Sequence, residues 1–183
     1  MRKSPYIIER KNPFSIISVI CMLVCIVLRI FYYTVKGFDT FEFITLLLLP
    51  LLSAVIFIAI VLFFGKTYAA ATSVSVFLGV VFFIIKSFSF ESVIHTALCI
   101  ILYIVVLVLY TLTIFGIIPT KKLLYPLFGL PLLYHIFVED MKLYILAEPP
   151  VPFLEWLPEI SVLLIMSGLL FITIVLKNKT DKA

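Results

Sequence analysis

The sequence predicts an all-α polytopic integral membrane protein: a single domain, residues 1–183, forming a six-helix transmembrane bundle with a short proline-kinked fifth span. Three observations predict it. Of the 183 residues, 64% are hydrophobic, whereas a soluble domain of this length is roughly half apolar. A domain of this size still exposes about a third of its unfolded-chain surface, so the excess has no core to hide in and must face lipid. The apolar residues also come in runs close to the ~20 residues that cross about 30 Å of hydrocarbon. Finally, lysine and arginine gather in alternate connections, as chains that cross back and forth require. Soluble, secreted and nucleic-acid-binding classes are excluded.

The chain opens with MRKSPYIIERKNPF, a basic stretch that leads into the first span at residues 14–34. That run is too long for a signal-peptide core and no small-residue cleavage site follows, so it is expected to stay as a signal anchor. Cys21, Cys25, Arg29 and Tyr33 are spaced four apart and share one helical face. Cys21, Cys25 and Cys99 all sit in apolar runs without CxxC spacing and are expected to be buried thiols.

The second span, residues 41–64, contains Pro50. Asp39 and Glu42 before it have the spacing of a capping box. The third, residues 67–85, places Ala71, Ser75 and Gly79 at i, i+4 and i+8, a pattern that lets two helix backbones approach closely. The fourth, residues 92–117, carries Glu91, His95 and Cys99 along one face. The turns KGFDTFEFI and KSFSFESVI look alike, which a duplicated hairpin would explain. Lysine snorkelling and an acid at a helix start explain it equally well.

The fifth span, residues 123–138, covers only about 24 Å at helical rise. Pro126 fits its first turn. Pro131 is interior, where it should kink the helix and free a backbone carbonyl. Broken helices of this kind line binding sites in transporters; Pro50 carries the same expectation more weakly. His135 and Glu139 share a face and Asp140 follows. A long acidic loop, residues 139–159, then holds Tyr144, Phe153 and Trp156, which suit an interfacial aromatic belt. A loop of that length is also a candidate lid or contact surface. The sixth span is residues 160–176.

With both termini cytoplasmic, ten of the fourteen lysines and arginines fall on the inner side. The outer connections collect Asp39, Glu42, Glu91, Glu139, Asp140, Glu148, Glu155 and Glu159. The expected location is the cell membrane, multi-pass, with N- and C-termini cytoplasmic. The expected partners are the lipid bilayer and a membrane protein partner or second copy, with no nucleic acid.

Intramembrane polar groups are costly and therefore mark candidate sites. Arg29, Glu91, His95, His135, Glu139 and Asp140 fall at one level near the outer face. If spans one, four and five meet, they form a ligand-binding pocket open to the outside. The leading functional reading is a non-enzymatic small-solute-binding or partner-subunit membrane component. One alternative is a structural or assembly protein without ligand, which would show an exposed small-residue stripe. The other is a membrane-embedded metal-dependent hydrolase built on the His/Glu/Asp cluster. No cofactor and no particular metal are named by any motif.

Overall fold

A computed structural model describes residues 5–64, 69–88, 93–118, 121–134 and 152–178, and the fold is mostly helical. Helix α1 (Pro13–Lys36) starts where the Asn12 side chain accepts the Phe14 N–H at 3.0 Å. It stops at Gly37, whose φ of 79° is one that L side chains rarely adopt. Helix α2 (Thr40–Phe64) is opened by the Asp39 side chain, which accepts the Glu42 N–H at 2.7 Å. This is the expected cap. Its turns are wide, of π type, over Phe43–Leu48 and Ile60–Phe64. Helices α3 (Ala69–Ser87), α4 (Val93–Ile114), α5 (Leu124–Tyr134) and α6 (Phe153–Val175) follow. A two-residue pair, β1 (Tyr6–Ile7) with β2 (Lys177–Asn178), joins the segments flanking α1 and α6.

Among the described residues, five helices are long and apolar enough to cross a membrane: α1, α2, α3, residues Thr96–Ile114 of α4, and α6. Large apolar side chains such as Val27, Phe63 and Val93 point outward along them, a surface that water would not tolerate. The chain is a membrane protein. The described part of α5 is eleven residues, continuous through Pro131, and its expected extension to residue 138 lies outside the described residues.

The helices form a ring in which each packs against its neighbours in sequence, and α6 closes the circle on α1. The α1–α6 seam is antiparallel along its whole length. Phe14 stacks on Phe171 at 6.0 Å, the Ser18 hydroxyl donates to the Gly168 carbonyl at 2.6 Å, and Tyr32 donates to Glu155 at 3.0 Å. The β1–β2 pair continues that seam beyond the helices, with Tyr6 opposite Asn178. Packing against α3 uses the small residues singled out in the sequence. Ser53 and Ser75 donate to each other's carbonyls at 2.8 and 2.7 Å, and a Cβ on Gly79 would lie 3.5 Å from the Ser53 hydroxyl. Ser75 and Gly79 are therefore buried inside the bundle, and this part of the stripe is not free for a partner.

The bundle thus has two distinct ends. At the strand end lie β1 and β2, Arg10 donating to the Phe63 carbonyl, and Pro5 against Gly116. At the opposite end lie Lys36, Glu42, Lys86 and Glu155.

One boundary departs from expectation. The last helix begins at Phe153, not at residue 160, so Glu155, Trp156 and Glu159 belong to a helix and not to a loop. Pro158 made the stretch read as irregular. It falls early in the helix and removes a single backbone hydrogen bond, while Glu155 in the first turn suits the positive helix end.

Candidate functional site

At the end away from the strands, α1, α2, α3 and α6 surround a cavity of about 600 Å³. Arg29 belongs to its wall although only 2% of the residue is exposed. The residue neither snorkels outward nor pairs with an acid among the described residues. Its Nη1 donates to the Leu46 carbonyl and its Nη2 lies 3.5 Å from the Pro158 carbonyl. The guanidinium carbon sits 4.5 Å from the centre of the Phe82 ring, a cation–π arrangement. Nε has no hydrogen-bond partner among the described residues.

The Leu46 acceptor has a cause in the sequence. Pro50 lacks an N–H, so the carbonyl four residues earlier loses its α-helical donor. That carbonyl is Leu46, in the wide turn just before the proline. In the wide turn donors lie five residues on, as Leu49 N–H to the Ile44 carbonyl does, so Pro50 removes only the α-type donor of Leu46, and Arg29 supplies one there.

Above Arg29 the cavity carries two cation–carboxylate pairs. Lys86 pairs with Glu159. Lys36 donates to Tyr32 at 2.6 Å and lies 3.6 Å from Glu155, to which Tyr32 also donates. Glu42, at the start of α2, is the third lining acid. Between the charges the wall is apolar and aromatic, with Phe41, Leu46, Phe82, Ile85 and Phe88. Comparison with family models, curated proteins and solved structures finds no match. The site must be read from its own chemistry.

Of the six residues singled out by depth and spacing, Arg29 lies in this cavity. Glu91, His135, Glu139 and Asp140 lie outside the described residues. His95 is on the first turn of α4, its side chain likewise outside them. Arg29 faces α2, α3 and α6 rather than α4 and α5, since its contacts are Leu46, Phe82 and Pro158. Among the described residues no three His, Cys, Asp or Glu side chains gather as metal ligands. Lys36, Lys86, Glu155 and Glu159 escaped the sequence reading because each suited a simpler role. The lysines looked like interfacial ends of spans and the glutamates like loop acids.

Proposed function

We propose that this chain is a non-enzymatic, small-solute-binding component of the cell membrane, with the Arg29 cavity open to the outer face. The observation that supports it most is a buried arginine without a carboxylate partner in the wall of a cavity of about 600 Å³. That size is in the range of small-molecule sites, roughly 300–1,000 Å³, and its apolar lining with a few convergent polar groups is their usual composition. A role with a partner membrane subunit is compatible with the same pocket. The assembly reading loses its clearest feature, because Ser75 and Gly79 are spent on the contact with α2.

The orientation belongs to the same proposal. The pairing of β1 with β2, which flank α1 and α6, supports an even number of crossings. Five helices among the described residues are long enough; in the proposal the segment that contains α5 supplies the sixth crossing. The lysine and arginine distribution then makes the strand end cytoplasmic and the cavity extracellular. The test is labelling of Ile85→Cys, in a background with the three native cysteines replaced, by a membrane-impermeant thiosulfonate added to intact cells. Rapid labelling is expected; a thiol as slow to react as one placed at buried Val76 would refute an outward pocket.

A further inference from the structure

We propose that the cavity holds an oxyanion carried on an apolar body, a carboxylate or phosphate head on a hydrocarbon chain, with Arg29 as its anchor. This rests on reading the cavity as a solute site. The charge inventory is the first argument. Lys86 is matched by Glu159 and Lys36 by Glu155, so neither competes for a ligand. Glu42 is part-exposed, where solvent and salt screen it. Among the described lining residues, Arg29 alone combines burial and positive charge with hydrogen bonds to neutral carbonyls, Glu159 acting on it through its field and not by an ion-pair contact.

Hydrogen-bond capacity is the second. A guanidinium has five N–H donors in a plane. Those of Arg29 meet the Leu46 carbonyl and the Pro158 carbonyl at the edge of bonding distance, with the Cys25 thiol alongside, and Nε has no partner among the described residues. The guanidinium carbon lies over the Phe82 ring, a contact that uses none of the donors. What remains for a ligand is in-plane approach, the direction from which carboxylate and phosphate bind arginine in two-pronged fashion. The third argument is the lining. Phe41 and Phe88 are 66% and 69% exposed while also bordering the cavity, so a hydrocarbon chain leaving the anchor stays against apolar surface. A small hydrated anion would leave that surface wet. Outer-leaflet lipids and soluble amphiphiles share this head-and-tail chemistry.

The experiment uses the full chain in phosphatidylcholine nanodiscs, with fluorescence of Trp156, its single tryptophan, and the melting temperature as readouts. Decyl phosphate, decyltrimethylammonium and inorganic phosphate are titrated against wild type, Arg29→Met and Ile85→Phe. Decyl phosphate is expected to bind saturably, at least tenfold more tightly than the other two. Its Kd should rise at least tenfold in both variants, one lacking the anchor and the other filling the cavity. Equal binding of the cationic amphiphile would overturn the choice of anion, and equal binding of inorganic phosphate would overturn the apolar body. If Arg29→Met fails to fold, the probe comparison in wild type and the Ile85→Phe result still decide. Repeating the titration with phosphatidylglycerol in the discs separates the sources: lost binding identifies a membrane lipid as occupant, and unchanged binding a soluble amphiphile. A cavity that labels at Ile85→Cys but ignores decyl phosphate would leave the solute reading standing and remove the anion.

Discussion

A buried guanidinium held only by neutral groups is an unusual expense for a membrane helix. Desolvating it costs several kcal/mol. Against this stand the Phe82 contact, about 2 kcal/mol when dry, and the charge-assisted bond to the Leu46 carbonyl, about 1.5–3 kcal/mol. The terms nearly cancel, so Arg29 contributes little to holding the fold. Arg29→Met should therefore change unfolding free energy by less than about 1 kcal/mol in neutral detergent, measured by a reversible denaturation assay. A loss of about 3–5 kcal/mol, the cost of breaking a buried ion pair, would instead make Arg29 a structural cation. The residue was legible as a candidate from one fact, a charge four residues inside a span end. Its real neighbours were not, because a helical stripe shows which residues share a face and not which helices that face meets. The one pointer to its acceptor was arithmetic: Pro50 removes the α-type donor of the carbonyl at position 46.

Between helices, small residues decide how closely backbones approach, and two glycines here differ in how much room they leave. At Gly79 an added Cβ would meet only the Ser53 hydroxyl, at 3.5 Å, an ordinary contact. At Gly168 it would lie 2.9 Å from Met22 Cε and 3.4 Å from the Ser18 carbonyl oxygen, beside the bond from the Ser18 hydroxyl. Gly79→Ala should leave the melting temperature nearly unchanged, since helix propensity offsets slight crowding. Gly168→Val adds branched bulk to the tightest part of the α1–α6 seam and should cost about 1–3 kcal/mol. Equal effects at the two sites would mean that the seam is looser than its contacts indicate. The i, i+4, i+8 pattern announced a close helix–helix contact in the sequence, though not that α2 would make it; Gly168, with no small partner at that spacing, announced nothing. Element ends were legible to within a few residues wherever an apolar run had clean edges. The start of α6 was not, because two prolines and two acids outweighed a helix whose first turns tolerate both.

At the scale of the whole molecule, the antiparallel α1–α6 seam and the strand pair beyond it are what the proposed number of crossings rests on. The segments at Tyr6 and Asn178 are paired, and the proposed six-span arrangement, with an even number of crossings between them, is built on that pairing. Hydropathy alone leaves α5 ambiguous, since a short run with two prolines also suits a segment that dips in and returns. The lysines break the tie: in a five-crossing chain Lys177, Lys179 and Lys182 would lie opposite the other basic segments, against the bias that sets orientation. Single cysteines in a background without Cys21, Cys25 and Cys99 read this directly. Lys11→Cys and Asn178→Cys should react with an impermeant maleimide only after the membrane is permeabilised. Asp39→Cys should react in intact cells, as should Lys142→Cys, which follows α5 in the chain. If Lys142→Cys is protected while Asp39→Cys reacts, α5 does not cross. The ring would then have five spans, and the strand pair could not form in the membrane as it does here. Protection of Asp39→Cys together with reaction at Lys11→Cys would invert the molecule and turn the Arg29 cavity toward the cytoplasm. The same four labels thus fix both the count of crossings and the compartment from which a ligand reaches Arg29.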